Sequence, residues 1–160
     1  MAKHVLNIKD EDYDFVLLGL SLLKDQYETT VAVNECLSIN LSLDSEVSLA
    51  LKGDKLFSFS LFTCFDEDFG IEYLLVPNTS NFEAPKESQA RTDLFGEIEV
   101  EERTRLIREL PLTDYFLILK GEEVQKYQHS IVERLKKLEG LMQVQIIDVT
   151  DLPSRSNLVF

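Results

Sequence analysis

Residues 115–149 read YFLILKGEEVQKYQHSIVERLKKLEGLMQVQIIDV, and this stretch decides the fold class. Residues 115–119 form a continuous apolar run with strong strand propensity, which predicts a central strand buried on both faces. An apolar stripe at helical spacing follows, made of Val124, Tyr127, Ile131, Leu135 and Leu138. Gly140 closes this predicted helix, and residues 144–149 predict a last long strand.

The amino-terminal half has the same order of a buried strand followed by a helix. Residues 15–20 read FVLLGL and predict a second strand buried on both faces. Asp25, with Glu28 three residues later, has the spacing of a capping box and predicts a helix from there to about residue 39. The apolar face of that helix consists of Ala32, Val33, Cys36 and Leu37. Asn40 is expected to end it in the left-handed conformation.

Between the two helices the sequence predicts an aromatic hairpin. Residues 56–65 alternate as a strand with a phenylalanine-rich face, and residues 70–76 form the next strand. Residues 47–51 predict an earlier strand of the same sheet. At the carboxyl end, residues 157–160 are expected to dock as a short strand.

Two helices with one apolar face each are suited to covering one side of a sheet. The sequence therefore predicts a single α+β domain over residues 1–160. Its mainly antiparallel sheet would carry both helices on one face, in a ferredoxin-like arrangement or an elaboration of it. Residues 78–112 carry prolines and many charges without a clear period, which predicts an irregular surface excursion.

The charge balance limits the expected partners. The chain has 16 Lys plus Arg against 29 Asp plus Glu, a net charge of −13, so it repels both a phosphate backbone and an anionic membrane surface. We expect neither nucleic acid nor membrane as a partner. No apolar run reaches the roughly 18 residues of a membrane span, and the amino terminus lacks the features of a signal peptide, so a cytoplasmic protein is expected.

The sequence lacks the motifs of metal, phosphate and nucleophilic chemistry. Asp10, Asp12 and Asp14 have the spacing of a calcium loop, but Phe15 takes the place of its glycine and Ser21 that of its glutamate. The two cysteines and two histidines have no zinc-ligand spacing, and neither a glycine-rich phosphate loop nor a nucleophile elbow occurs. No cofactor, metal site or catalytic residue is predicted.

A short basic cluster, Arg103, Arg105 and Arg108, stands against the acidic background. Arginine is suited to bidentate contacts with carboxylate or phosphate, so Arg105 and Arg108 are candidate binding residues. The alternative is that the cluster pairs with glutamates of the same segment, namely Glu97, Glu99, Glu101 and Glu102.

The next motif, IRELPLTDY at residues 107–115, resembles the bacterial IPExxxVDY family. Four positions match its motif, namely Ile107, Glu109, Asp114 and Tyr115. Arg108 stands where the motif has proline, and Thr113 where it has valine. The similarity extends over the first strand and helix, the phenylalanine-rich hairpin and the final NLVF. The resemblance implies an intracellular bacterial protein, and it implies no activity, substrate or cofactor.

Glu109, Asp114 and Tyr115 are the candidate site residues of this motif, and two interpretations are open. In the first, the carboxylates accept hydrogen bonds from loop amides or pair with an arginine, and Tyr115 is a core ring with a bonded hydroxyl. In the second, the three form a small acidic site in which a desolvated carboxylate acts as an acid or base.

We expect a non-enzymatic protein-interaction module, because sheet edges can pair with a partner and the excursion can supply specificity. The alternative is a small-ligand-binding protein or an enzyme that uses the acidic site around Glu109, Asp114 and Tyr115. Self-association as a homodimer is a further hypothesis, since residues 56–65 place apolar side chains on both faces of their strand.

Overall fold

The computed structural model describes residues 13–81 and 103–160. Within these ranges the chain forms an α+β fold with a six-stranded sheet and two α-helices. The strands are β1 (Val16–Leu22), β2 (Ser42–Lys52), β3 (Lys55–Asp66), β4 (Ile71–Pro77), β5 (Tyr115–Lys120) and β6 (Leu141–Ile147). The helices are α1 (Gln26–Leu37) and α2 (Val124–Leu135), and short 3₁₀ turns span Val149–Asp151 and Arg155–Leu158.

The strands lie in the order β2-β3-β4-β5-β1-β6, and every neighbouring pair is antiparallel. The last four strands of this order, from β4 to β6, are compatible with a ferredoxin-like arrangement that β2 and β3 extend at one edge. The predicted class, a mainly antiparallel sheet with two helices, is confirmed. β5 lies between β4 and β1, so the run at residues 115–119 is an interior strand as predicted.

Both faces of the sheet are covered, and β5 shows how one strand serves two cores. Tyr115, Leu117 and Leu119 pack under α1 and α2, whereas Phe116 and Ile118 pack on the opposite face. Segment 103–112 and the carboxyl-terminal turns cover that opposite face, with Leu106, Ile107, Val149, Leu152 and Leu158 buried there. Both helices therefore lie on one face, and the irregular segments supply the second layer.

Helix α1 begins as predicted and ends earlier than predicted. The side chain of Asp25 accepts hydrogen bonds from the backbone N–H groups of Tyr27 and Glu28, at 2.9 and 2.8 Å. Ser38, with φ of 55°, adopts the left-handed conformation that was expected of Asn40. The helix stops there because the side chain of Asn34 bonds both the N–H and the carbonyl of Leu41 and turns the chain.

The expectation of a strand at residues 157–160 is wrong. Arg155–Leu158 is a 3₁₀ turn, and Leu158 is fully buried on the face opposite the helices. The amide of Asn157 donates to the carbonyl oxygen of Leu106 at 2.9 Å, which draws the chain end under segment 103–112 and away from the sheet. Strand β6 also ends at Ile147, short of the predicted residue 149.

The middle of the phenylalanine-rich strand β3 is buried on both faces, whereas Leu56 and Phe65 near its ends are exposed. Phe57, Phe59 and Leu61 are buried on the face opposite the helices, and Phe62 is buried under the helices. β3 pairs with β2 over residues 55–63 and with β4 over residues 62–66. Self-association through residues 56–65 stays a prediction.

Candidate functional site

The segment that carries the IRELPLTDY motif is organised around one buried amide, the side chain of Asn78. Asn78 follows β4 directly and has no solvent exposure. Its Nδ2 donates to the carbonyl oxygens of Leu110 at 3.0 Å and Thr113 at 2.8 Å, and its Oδ1 accepts from the N–H of Ile107 at 2.8 Å. The motif residues therefore fold around an internal hydrogen-bonding centre.

Asp114 and Tyr115 connect the start of β5 to the turn between β1 and α1. The Oδ2 atom of Asp114 accepts from the N–H of Leu22 at 2.9 Å, and the hydroxyl of Tyr115 donates to the carbonyl oxygen of Lys24. Burial raises the pKa of Tyr115, and a hydrogen bond with Thr29 opposes the rise. The hydroxyl is therefore a protonated donor at neutral pH, and both groups already bond the backbone.

Both residues also line a cavity of about 710 Å³ at the amino-terminal end of α1, which we term the polar cavity. The polar side chains around it are those of Lys24, Asp25, Gln26, Glu46, Ser60, Thr79, Ser80, Asn81 and Arg103. The structure thus places both Asp114 and Tyr115 at a concave polar surface.

Glu109 lies elsewhere and is not among the residues that line the polar cavity. Its Oε1 accepts from the backbone N–H and the hydroxyl of Ser154, at 2.8 and 2.7 Å. Burial would raise the pKa of Glu109, but the hydrogen bonds from Ser154 and the nearby Arg108 together lower it below its ordinary value. Glu109 is therefore an ionised acceptor that holds the carboxyl-terminal turn, and it does not join Asp114 and Tyr115 in one acidic site.

Arg105 and Arg108 do come together, in a shallow groove of about 390 Å³ that Lys52 and Arg103 also line. The Nη1 atom of Arg105 is buried, with no hydrogen-bond partner in residues 13–81 and 103–160. The four glutamates named as alternative partners of this basic cluster lie outside the described residues. The groove that the two arginines line does not include Glu109, Asp114 or Tyr115, although Arg108 is close enough to Glu109 to affect its pKa.

A larger cavity, which the sequence alone did not predict, lies between the end of α1, the middle of α2 and the β3–β4 turn. Its volume is about 820 Å³, and we term it the aromatic groove. Its lining residues are Leu37, Ser38, Ile39, Asn40, Cys64, Phe65, Asp66, Glu67, Asp68, Phe69, Ile71, Tyr73, Tyr127, Ser130, Ile131 and Arg134. The two phenylalanines that flank the DED turn, residues 65 and 69, were the available signal for this surface.

Two of the aromatic side chains of the groove are exposed to solvent. Phe65 is 62% exposed and Phe69 is 54% exposed, although both lie beside the helix-face core. The ring of Phe69 packs edge-on against Tyr127 at a centroid separation of 5.1 Å, so part of the wall is preformed. Exposed rings held in place by neighbouring rings are typical of surfaces that bind a partner.

The rim of the groove is acidic, and the exposed residue Arg134 adds one cation to the lining. Asp66 ends β3, Glu67 and Asp68 lie in the β3–β4 turn, and Arg134 of α2 reaches the hydroxyl of Ser38 at 3.4 Å. Burial raises the pKa of Tyr73, and the carboxylate of Asp66 acts in the same direction. The phenol of Tyr73 is therefore a neutral hydrogen-bonding group in the wall of the groove.

The two cysteines are both partly buried and lie at different places. The thiol of Cys36 donates to the carbonyl oxygen of Arg134 at 2.8 Å and joins the ends of the two helices. Burial raises the pKa of Cys36, against the effect of Arg134 and Lys137, so it is a protonated thiol at neutral pH. Cys64 lines the aromatic groove from β3.

Within residues 13–81 and 103–160, no group of three or more His, Cys, Asp and Glu side chains is close enough to hold a metal ion. Of the helices in the same ranges, none combines the length and the hydropathy that crossing a bilayer requires.

Two substitutions test whether Asp114 stabilises the fold as the hydrogen-bond acceptor of Leu22. Asp114→Ala leaves the N–H of the buried Leu22 without its acceptor, so we expect the free energy of unfolding to fall by about 1–3 kcal/mol. Asp114→Asn keeps an acceptor oxygen and should cost less than about 1 kcal/mol. Urea unfolding followed by circular dichroism measures both, and equal losses in the two variants would contradict the role of Asp114 as an acceptor for Leu22.

No family model, no curated protein and no solved structure matches this chain, so its resemblance to the IPExxxVDY family stays a prediction.

Proposed function

We propose that this chain is a non-enzymatic, cytoplasmic protein-interaction module that binds a short segment of another protein in the aromatic groove. The segment would insert one large apolar side chain between Phe65 and Phe69 and carry basic residues beside it. The observation that carries the proposal is the pair of exposed phenylalanine rings at the largest of the cavities described above.

The composition of the groove supports a protein partner. Aromatic residues and arginine are enriched where proteins bind each other, and a few such residues in a pocket supply most of the binding free energy. The groove combines four aromatic rings with Arg134, and Leu37 and Ile39 contribute to its apolar wall. A segment with a single apolar anchor would bury Phe65 and Phe69, which water now reaches.

The charge of the protein supports basic residues in that segment. Three consecutive carboxylates, Asp66, Glu67 and Asp68, lie at the rim, and the chain as a whole carries a net charge of −13. The field around such a surface attracts a basic partner and raises its rate of association. An acidic segment would be repelled at the same rim.

Small-ligand binding is a second candidate, and the polar cavity is the observation that favours it. We place it second because Asp114 and Tyr115 are already hydrogen-bonded to the backbone of Leu22 and Lys24. A ligand would have to displace these bonds or use the remaining polar side chains around them. A catalytic role for Glu109 is still less favoured, since Ser154 occupies its carboxylate.

A library of short randomised peptides displayed on phage tests the proposal. Peptides selected on the unmodified chain should share one aromatic or large aliphatic residue flanked by lysine or arginine. The double substitution Phe65→Ala with Phe69→Ala removes the two anchors, and loss of an interface anchor costs about 2 kcal/mol or more. We therefore expect the affinity for the selected peptides to fall by roughly thirtyfold or more, measured by fluorescence anisotropy.

Two further variants make this experiment decisive. Leu23→Ala removes a comparably exposed apolar side chain outside the groove and should leave peptide affinity unchanged. Glu67→Lys changes only the rim and should weaken basic peptides, with a loss that diminishes at high salt. If no selected peptide depends on Phe65 and Phe69, binding in the aromatic groove is wrong.

A further inference from the structure

Cationic side chains dominate the groove that contains Arg105 and Arg108, which we term the basic groove. Its volume is about 390 Å³, and its lining residues are Lys52, Thr79, Arg103, Thr104, Arg105 and Arg108. None of these lining residues carries a carboxylate, although the whole chain has a net charge of −13. A concave surface that gathers positive charge in this way is suited to an anion.

The backbone around Arg105 is held against the segment that follows β4. Arg105 forms an antiparallel bridge with Thr79. Its neighbour Thr104 exchanges two hydrogen bonds with Ser80, because its carbonyl oxygen accepts from the N–H of Ser80 at 2.9 Å and its own N–H donates to Ser80 Oγ at 3.0 Å. Thr104 and Leu106, on either side of Arg105, are both buried. The arginine therefore extends from a fixed stretch of backbone, which lowers the entropy lost when it binds a ligand.

The guanidinium groups of Arg105 and Arg108 have no ion-pair partner in the part of the chain that the structure describes. The Nη1 atom of Arg105 is buried there without a hydrogen bond. Arg108 is exposed and lowers the pKa of the nearby Glu109, but the two form no ion pair, and Oε1 of Glu109 bonds Ser154. An unpaired charge that is partly withdrawn from water is costly. An anion in the basic groove would neutralise both arginines.

We propose that the basic groove binds the phosphate group of a small phosphate monoester through Arg105 and Arg108. Each guanidinium can donate two parallel hydrogen bonds to phosphate oxygens, and the hydroxyls of Thr79 and Thr104 can donate to the others. A tetrahedral phosphate accepts from donors on several sides, whereas a single arginine fork already matches a planar carboxylate. The number of donors therefore favours phosphate.

The size and the charge of the surroundings favour a small molecule. A volume of about 390 Å³ lies within the range of small-molecule sites. A nucleic acid or a membrane would bring many further phosphates against a chain of net charge −13. A single phosphate meets mainly the local arginines, because charges more than about 8 Å away are screened at physiological ionic strength.

The proposed site is independent of the other candidate surfaces. The basic groove and the aromatic groove have no lining residue in common, so phosphate binding does not depend on the proposed function. Lys52 and Arg103 make other contacts, and the site needs only Arg105 and Arg108 to be unpaired.

An NMR titration of the full chain with methyl phosphate tests the proposal, with sodium chloride keeping the ionic strength constant. The backbone amide signals of Thr79, Thr104, Arg105 and Arg108 should shift and reach saturation. Succinate, a dicarboxylate, should shift them much less. Arg108→Gln removes an exposed guanidinium, so the fold should stay intact and the dissociation constant for methyl phosphate should rise at least tenfold.

Two further variants separate a phosphate site from general attraction to positive charge. Arg105→Lys keeps the charge and loses the planar fork, so binding should weaken about tenfold. Lys126→Gln removes one positive charge from the exposed face of α2 and should leave the dissociation constant unchanged.

Each contrary result is defined. No saturable shift at millimolar methyl phosphate overturns the proposal, whether or not the aromatic groove binds peptides. Equal binding of succinate, or an unchanged dissociation constant in Arg108→Gln, shows general attraction of anions and also overturns it. If methyl phosphate binds only after Glu97, Glu99, Glu101 and Glu102 are replaced by glutamine, the arginines pair with those glutamates and the proposal is wrong. Tighter binding of a short oligonucleotide than of methyl phosphate would overturn the assignment to a small molecule.

Discussion

Replacing Asn78 with alanine is expected to lower the free energy of unfolding by about 3–5 kcal/mol, because several buried polar groups lose their partner at once. The N–H of Ile107 and the carbonyl oxygens of Leu110 and Thr113 all bond this one side chain. Water cannot replace the amide freely, since Asn78 is fully buried. A loss of this size would lower the melting temperature by roughly 10–15 °C in a chain of this length.

Calorimetry and urea unfolding measure this effect, with Asn40→Ala as the control. Asn40 is exposed and lies in the connection after α1, so its substitution should change stability by less than about 0.5 kcal/mol. If Asn78→Ala unfolds like Asn40→Ala, the motif segment does not depend on the amide of Asn78.

Ile107→Ala is the second large effect that the structure predicts, at about 3–4 kcal/mol of lost stability. Ile107 has no solvent exposure and packs with Leu106, Phe116 and Ile118 on the face opposite the helices. Truncation would leave a cavity in that face, because strands on one side and the segment on the other hold the surrounding side chains. The first residue of the motif is thus a core residue.

Leu112→Ala provides the comparison within the same segment. Leu112 is 82% exposed, so its truncation should leave the free energy of unfolding almost unchanged. Chemical denaturation measures this quantity. The large contrast between two apolar residues only five positions apart would establish that the motif segment is a packed layer. Equal effects at the two positions would contradict that conclusion.

The parts of the fold that short sequence patterns encode could be predicted. β5 follows from a run of apolar residues, and Asp25 starts α1 where its capping pattern places it. The stripe at helical spacing predicts α2, but the helix ends at Leu135, before Leu138 and before Gly140, which was expected to close it. The end of α1 could not be predicted, because the choice of Ser38 over Asn40 depends on hydrogen bonds that Asn34 makes to Leu41. The prediction of a strand at residues 157–160 was wrong because buried contacts of these residues outweigh their strand-like composition.

The candidate sites, like the fold, could be predicted from the sequence only in part. Asp114 and Tyr115 were identified from a motif, and the structure places both at the polar cavity, but the position of Glu109 depends on a contact with Ser154, 45 residues along the chain. The aromatic groove is built from three separate parts of the chain, the end of α1, the β3–β4 turn and the middle of α2. Their meeting depends on strand order, which the sequence left open.

The position of β5 between β1 and β4 has a consequence for synthesis on the ribosome. β1 emerges early, yet both of its neighbours, β5 and β6, lie in the last third of the chain, and the bond from Leu22 to Asp114 spans 92 positions. While residues 23–114 are being translated, the apolar strand β1 has none of its final neighbours beside it. The nascent chain therefore exposes an unpaired apolar strand until β5 and β6 have been translated.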